Sequence, residues 1–292
     1  MMSPENNLQD HILEHLPVKH DGKAVFSPVS GGSINTTWQI DTDRHTFFCK
    51  INNAKHYPGL FEIEAAGLNA LKQAGCIKVP EVIAVSNFGS QQVLILEYIK
   101  PGSRTTGFWE LLGQQLAKLH SVQQTRSGFE HDNYMGALPQ QNEWTNDWHT
   151  FFRDKRLKPQ IELARQHGLL SNGHVKLFEK LYDRLPEIFT DEPASLLHGD
   201  LWSGNFLCNT QQEPVLIDPA VYYGNSSMDL AMTTLFGGFH KKFYDAYAWW
   251  RPFPSNYEEQ WQVCNMYPLL IHLNLFGSSY LASIEAGLRR FH

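Results

Sequence analysis

The pattern of apolar and polar residues changes along the chain from short strand-like runs to longer helical ones. In the first part of the chain, five short runs are rich in β-branched and aromatic residues, as strands are. They cover residues 24–29, 36–41, 46–51, 81–85 and 93–97. Between the third and fourth runs, residues 60–74 carry apolar side chains at helical spacing and end before Gly75. The predicted order of elements is therefore β-β-β-α-β-β.

After residue 100 the spacing becomes helical. Apolar residues recur with a helical period in 111–119, 148–166 and 174–188, and again from Asp229 onward. Strand-like runs return only at 206–208 and 215–217. The most apolar stretch, 267–288, is interrupted by His272, Asn274 and Glu285, which favours a pair of core helices over a membrane span.

Composition and charge exclude several classes of function. The chain has 292 residues, and its net charge of −6 gives no positive field that would attract nucleic acid. Its four cysteines lie far apart without C-x-x-C spacing, so we expect reduced, mostly buried thiols. The first residues lack a basic start followed by an apolar stretch, which argues against a secretion signal and predicts a cytoplasmic location.

The segment around residue 200 carries the pattern most closely tied to chemistry. His198, Asp200 and Asn205 have the H-x-D-x-x-x-x-N spacing of a kinase catalytic loop. In such a loop the aspartate orients the attacking hydroxyl group and the asparagine binds the metal that bridges the phosphates. Asp200 is therefore predicted as the catalytic base and Asn205 as a magnesium ligand.

A second carboxylate follows at the end of the apolar run 215–217. Asp218 is the predicted second magnesium ligand, since a strand delivers it shortly after the catalytic loop. The two motifs occur in kinase order, after a sheet-rich region and before a helical one. Because the order of the motifs and the order of the predicted elements agree, the sequence predicts an α+β, protein-kinase-like fold with two lobes. A small antiparallel sheet lobe with one helix would cover 1–99, and a large, mostly helical lobe would cover 100–292.

The first lobe contains the residues expected to bind ATP. Lys50 interrupts the apolar run 47–51 and needs a partner if it is buried, for which Glu64 on the following helix is better placed than Glu62. We predict that Lys50 contacts the phosphates. A glycine-containing turn before the second strand would approach the phosphates, and the end of the fifth strand would meet the adenine. These two groups are Gly31, Gly32, Ser33 and Asn35, and Glu97, Tyr98 and Ile99.

The segment after the catalytic loop indicates a small acceptor. Position 199 is glycine where regulated protein kinases have arginine, and Asp218 begins D-P-A instead of D-F-G. Only ten residues separate Asp218 from the helical run at Asp229, which leaves no room for a peptide-docking segment. We therefore predict that a small molecule or a side-chain adduct binds in the helical lobe.

Longer motifs resemble one family over nearly the whole chain. They are GGSIN from Gly31, FFCKIN from Phe47, DNYMG from Asp132, HGDLWSGN from His198, DPAVYYGN from Asp218, LFGGF from Leu235 and IHLNLFG from Ile271. Together they resemble the fructosamine kinase (ketosamine 3-kinase) family, which is related to aminoglycoside phosphotransferases. The resemblance implies ATP and Mg²⁺ as cofactors and phosphorylation of the sugar O3 of ketosamines. It also implies deglycation, because the 3-phosphate readily eliminates, and acceptors that are either small molecules or glycated protein side chains.

Several further residues have predicted roles near the base. Trp202, Tyr222 and His272 could contact the substrate, although Trp202 and His272 could equally be core packing. His198 and Asp229 are predicted to fix the catalytic loop instead of moving protons. Three other functions remain open at this point: another small-molecule kinase acting on an aminoglycoside, choline or homoserine, a nucleotide-binding protein without turnover, and a purely structural interaction module.

Overall fold

The structure is a computed structural model that describes residues 4–18, 24–29, 34–190 and 192–291. Its N-terminal part is a five-stranded antiparallel sheet in the order β1-β2-β3-β5-β4. The elements of this part are α1 (Pro4–Glu14), β1 (Val25–Pro28), β2 (Thr36–Asp41), β3 (Thr46–Asn53), α2 (Leu60–Ala74), β4 (Val82–Phe88) and β5 (Gln91–Glu97). The predicted β-β-β-α-β-β order is confirmed, whereas α1 was not predicted.

The two faces of the sheet are covered by different helices because side chains alternate along a strand. On one face, Leu8, Ile12 and Leu16 pack against a cluster that includes Cys49 of β3 and Ile95 of β5. On the other face, α2 packs against side chains at intervening positions of β5, including Leu94 and Leu96. Lys50 follows Cys49 in β3 and therefore points toward α2.

The remainder of the chain is mostly helical, as predicted. Its helices are α3 (Thr106–Leu119), α4 (Trp148–Phe151), α5 (Lys158–Gln166), α6 (Asn172–Ile188), α7 (Ser227–Leu235), α8 (Lys241–Trp250), α9 (Tyr257–Cys264), α10 (Met266–Phe276) and α11 (Leu281–Leu288). A π-helical stretch, Phe152–Leu157, joins α4 to α5, and short 3₁₀ turns cover Ser278–Tyr280 and Arg289–Phe291. The stretch 267–288 is a helix pair, as predicted. No helix among the described residues is long and apolar enough to cross a bilayer.

Short strands in the helical part shape the region around residue 200. They are β6 (Gln123–Gln124), β7 (Asn133–Met135), β8 (Leu138–Gln140), β9 (Ala194–Leu197), β10 (Phe206–Cys208), β11 (Pro214–Leu216) and β12 (Tyr222–Gly224). β9 leads into the segment 198–205, and the antiparallel pair β10–β11 leads out of it toward Asp218. The α+β fold class predicted from the sequence is confirmed. The lobe boundary between residues 99 and 100 stays a prediction.

Candidate active site

A cavity of about 190 Å³ lies between the sheet and the helical part. Side chains from both parts line it: Lys50 and Glu64 come from β3 and α2, and Asp200, Asn205 and Asp218 come from the loops after β9 and β11. These five residues, all predicted from the sequence, thus share one cavity. Asn35 also lines it.

Lys50 is the positive centre of this cavity. Its ammonium group lies 2.6 Å from Glu64 Oε1 and 2.6 Å from Asp218 Oδ1. Burial alone would lower the pKa of Lys50, but the two carboxylates raise it well above its ordinary value. Lys50 is therefore a permanent cation, and of the two glutamates considered from the sequence it is Glu64 that pairs with it.

Asp200 and Asn205 face each other across the catalytic loop. The amide nitrogen of Asn205 donates to Asp200 Oδ2 at 2.9 Å and to the Asp200 carbonyl at 2.8 Å. Burial raises the pKa of Asp200 to about 7, although the hydrogen bond from Asn205 opposes the shift. A carboxyl group with a pKa near neutrality is a better proton acceptor than an ordinary aspartate.

The donor set of this cavity suits a hard divalent cation. The carboxylate oxygens of Asp218 and the amide oxygen of Asn205 are the ligand types that Mg²⁺ prefers. Because Asn205 uses its nitrogen to bind Asp200, its Oδ1 remains for a cation. In the described part of the chain no cluster of three or more His, Cys, Asp or Glu side chains could hold a metal by itself. Any cation here would depend on the asparagine and on phosphate oxygens.

His198 and Asp229 make hydrogen bonds that hold the predicted catalytic loop, residues 198–205. Both are buried, and the Asp229 carboxylate accepts from the backbone nitrogens of His198 (2.8 Å) and Gly199 (2.9 Å). The His198 ring Nε2 lies 2.9 Å from the Ile217 carbonyl, and its Nδ1 accepts from the Asp200 nitrogen at 3.2 Å. These bonds give the two side chains positions that fit the scaffolding role predicted for them.

A buried histidine that the sequence analysis did not identify completes this support. His120 at the end of α3 lies 3.2 Å from Asp229 Oδ2 through Nε2, and 2.8 Å from the Tyr247 hydroxyl through Nδ1. Burial lowers the pKa of His120 and of His198, although Asp229 opposes the shift in both. Burial would raise the pKa of Asp229, but the hydrogen bond from His120 and other nearby groups lower it.

These buried histidines predict how stability depends on pH. In the unfolded chain both His120 and His198 would titrate near pH 6.5, while in the folded chain their pKa values are lower. Below that pH these two histidines bind more protons in the unfolded state, so their contribution to the free energy of unfolding should fall as the pH is lowered from 7.5 to 5.5. Asp200 and Glu64, whose pKa values are raised in the folded chain, contribute with the opposite sign. Each histidine can contribute at most about 1.4 kcal/mol per pH unit.

Urea unfolding at a series of pH values measures this dependence. On acidification the wild type should lose more stability, or gain less, than His120→Gln, because the variant lacks one of the two histidines, whereas replacement of an exposed histidine such as His56 should leave the pH dependence as in the wild type. A His120→Gln protein whose stability depends on pH in the same way as that of the wild type would contradict the prediction.

Among the described residues, the other predicted nucleotide-binding side chains do not line this cavity. Gly31, Gly32 and Ser33 lie outside the described residues. Glu97 and Tyr98 line a separate, open cavity of about 760 Å³ at the end of β5, and Ile99 lines neither of these two cavities. Their predicted contact with adenine through the backbone stays a prediction.

The three predicted substrate residues have different outcomes. Trp202 lines the cavity and is 38% exposed. The prediction for Tyr222 is wrong, because the ring is completely buried in the core, 4.0 Å below the Arg156 guanidinium. His272 is not among the residues that line the cavity. It packs on Phe236, and its Nδ1 lies 2.7 Å from the Pro268 carbonyl.

Residues of the DNYMG motif also line the cavity, which their spacing in the sequence does not predict. Asn133, Tyr134 and Gly136 form one of its walls. The hydroxyl of Tyr134 donates to the Pro58 carbonyl at 3.1 Å, so this wall touches the loop before α2. The motif was noticed in the sequence, but no chemistry followed from its spacing.

Comparisons with known proteins agree with this architecture. A model described as fructosamine kinase matches residues 6–291. "Probable ketoamine kinase" of Lactiplantibacillus plantarum is 40% identical over 267 residues, which are 90% of this chain and 93% of the relative. "Protein-ribulosamine 3-kinase, chloroplastic" of Arabidopsis thaliana is 38% identical over 277 residues, 90% of this chain and 82% of the relative.

Solved structures show the same fold. A candidate fructosamine-3-kinase of Thermobifida fusca superposes with a TM-score of 0.83 at 30% identity and covers 91% of this chain and 93% of its own. An aminoglycoside phosphotransferase, at 12% identity and a TM-score of 0.64, shares the fold alone.

Proposed function

Because the chain belongs to the fructosamine kinase family, we propose that it transfers the γ-phosphoryl group of ATP to the 3-hydroxyl group of a ketosamine sugar. The observation that carries this proposal is the convergence of Lys50, Asp200, Asn205 and Asp218 on one cavity. A base, a fixed positive charge and oxygen ligands for a cation are the parts that phosphoryl transfer needs.

In the proposed reaction Asp200 accepts the proton of the acceptor hydroxyl and orients its oxygen. That oxygen forms a bond to the γ-phosphorus while the bond from phosphorus to the β–γ bridging oxygen breaks, and ADP leaves. Lys50, kept in place by Glu64, offsets the negative charge of the phosphates. Asn205 and Asp218 would hold Mg²⁺, which supplies further charge neutralisation at the phosphate oxygens.

Two features support a ketosamine as the acceptor. Relatives over about nine tenths of the chain are named as ketoamine and protein-ribulosamine kinases. The cavity is small, and Trp202, one of the residues that line it, is partly exposed, so a sugar could enter while the amine that carries it stays outside. Ribulosamines and fructosamines, free or attached to protein side chains, are therefore the proposed acceptors. Their 3-phosphates would eliminate phosphate and release the amine.

An acceptor panel tests the proposal. The purified protein would be given Mg²⁺–ATP with ribulosyl-lysine, fructosyl-lysine, a glycated protein, an aminoglycoside, choline and homoserine, and ADP release would be measured for each. We expect the highest kcat/KM with a ketosamine and a phosphate on O3 by NMR. Faster turnover of a non-ketosamine acceptor would overturn the substrate assignment, and nucleotide binding without ADP release would favour a protein without turnover.

A further inference from the structure

The backbone at Asp218 has an unusual conformation that its surroundings must maintain. Its φ angle is +54°, in the left-handed region that residues other than glycine rarely adopt. Such a conformation persists only where neighbouring contacts fix it, and it often occurs at functional sites. The side chain of Asp218 is 42% exposed and faces the cavity, where the Lys50 ammonium group holds one carboxylate oxygen at 2.6 Å; this contact does not fix the backbone of Asp218.

The residue before Asp218 is fixed by the catalytic loop. The Ile217 nitrogen donates to the Asn205 carbonyl at 3.0 Å, and the Ile217 carbonyl lies 2.9 Å from the His198 ring nitrogen Nε2. These contacts join the strand end to the loop that carries Asp200. The Ala220 nitrogen also donates to the His198 carbonyl at 2.9 Å, whereas the carbonyls of Ala220 and Val221 are bound by groups outside this loop.

Two buried amides from the β7–β8 hairpin hold the segment after Asp218. Asn133 Nδ2 donates to the Val221 carbonyl at 2.9 Å, and Gln140 Nε2 lies 3.3 Å from the Ala220 carbonyl. Asn133 and Gln140 are directly opposite each other in the hairpin, and Gln140 Nε2 also donates to Asn133 Oδ1 at 2.7 Å. Both amides are therefore directed at the irregular backbone that follows Asp218.

A further hydrogen bond holds the Gln140 amide, and α2 packs against the other side of segment 219–221. The buried hydroxyl of Tyr267 donates to Gln140 Oε1 at 2.9 Å, which fixes the orientation of that amide. On the other side, a Cβ added to Gly67 of α2 would lie 3.3 Å from Val221 and 3.5 Å from Pro219. The segment 219–221 thus lies between α2, which packs closely against it, and the buried amides of Asn133 and Gln140. Its backbone therefore has little freedom to move.

We propose that Asn133 is a positioning residue, which holds the backbone after Asp218 and thereby keeps the Asp218 carboxylate directed at the cation site. Gln140 and Tyr267 act through it by fixing its amide. The inference rests on the proposed function, since it assumes that Asp218 binds the cation of the ATP complex. It assigns a task to a motif for which the spacing of the sequence gave none.

Binding of Mn²⁺ measures this role without turnover. Titration of Mn²⁺ in the presence of the non-hydrolysable nucleotide AMP-PNP, followed by electron paramagnetic resonance, gives the Kd of the cation. Asn133→Leu has a similar volume but no amide, and it should weaken cation binding by about tenfold, as loss of groups that orient a ligand typically does. Its melting temperature would be measured in parallel.

Gln160→Met is the matched control. Gln160 is a similarly buried amide of the helical part, and its side-chain Oε1 accepts from Asn274 Nδ2 at 2.9 Å. This variant should lose stability in a comparable way while binding Mn²⁺ like the wild type. If Asn133→Leu and Gln160→Met both lose stability and neither loses cation affinity, Asn133 has only a structural role and the proposal is overturned.

Tyr267→Phe decides the question if Asn133→Leu does not fold. It removes one hydroxyl group and leaves Gln140 without its donor, so cation binding should weaken in the same direction but less. Unchanged binding in this variant would overturn the positioning role while leaving the proposed function intact. A wild-type protein that binds no Mn²⁺ with AMP-PNP would instead overturn the proposed function, and the positioning role with it.

Discussion

Replacing Asp200 by Asn is expected to lower kcat for phosphoryl transfer by about 10³-fold, within the range for loss of a general base. An amide cannot accept the proton of the acceptor hydroxyl. The shape of the side chain is kept, and its oxygen can still accept the hydrogen bond that Asn205 now donates to Asp200 Oδ2. The loop should therefore fold normally, and binding of the ATP complex should change much less than kcat.

Asp154→Asn is the control for this measurement. Asp154 is also a carboxylate of the helical part, but it lies in the π-helical stretch before α5 and pairs there with Arg153 and with Lys158 of α5. Its replacement should leave kcat unchanged. Steady-state ADP release for both variants, with thermal shifts on nucleotide addition, separates loss of chemistry from loss of binding. An Asp200→Asn protein that keeps more than about a tenth of kcat would show that another group accepts the proton.

The parts of the site that could be predicted from the sequence are those set by short spacing. The interval between Asp200 and Asn205 fits one loop, so reading the pattern was enough to place both residues in the cavity. Strand alternation likewise points Lys50 toward α2, and a helix fixes which of two nearby glutamates faces it. In each case the geometry is local, and local geometry repeats between proteins.

The directions in which side chains point, and contacts between residues far apart in the sequence, could not be predicted in this way. Tyr222 follows Asp218 closely in sequence, but alternation in β12 turns its ring into the core while Tyr223 faces the other side. From the sequence, the glycine at position 199 is explained only by the absence of the arginine that regulated protein kinases have there. The structure gives a different reason, because its φ is +85° and a Cβ there would lie 2.0 Å from the Ala220 carbonyl oxygen.

The missed elements depend on partners far away along the chain. Among its described side chains, α1 carries only two buried apolar residues, Leu8 and Ile12, too few to predict a helix from the sequence. They pack on the face of the sheet that α2 leaves uncovered, and this contact stabilises the helix. Asn133 reaches Val221 across 88 residues, and His120 reaches Asp229 across 109. A pairing at such separation leaves no periodic signal in a single sequence.

Lys50→Met is expected to affect both stability and catalysis, and a second substitution should separate the two effects. Lys50 and Glu64 are buried, with 4% and 11% of their side chains exposed. Removing one partner of a buried ion pair typically costs about 3–5 kcal/mol because the other charge is left without compensation. Removing the phosphate-binding charge should also lower kcat by about 10²–10³-fold, as loss of a preorganised electrostatic contact does.

In the double variant Lys50→Met/Glu64→Leu no buried charge is left at this pair, and Asp218 is exposed enough to be solvated without Lys50. Replacing both partners of a buried pair by apolar residues is often neutral for stability. The double variant should therefore recover most of the free energy of unfolding, measured in urea, while kcat stays as low as in Lys50→Met. Recovery of kcat together with stability would mean that the lysine acts only by keeping the fold intact, since a charge needed at the phosphates cannot be restored by a leucine at position 64.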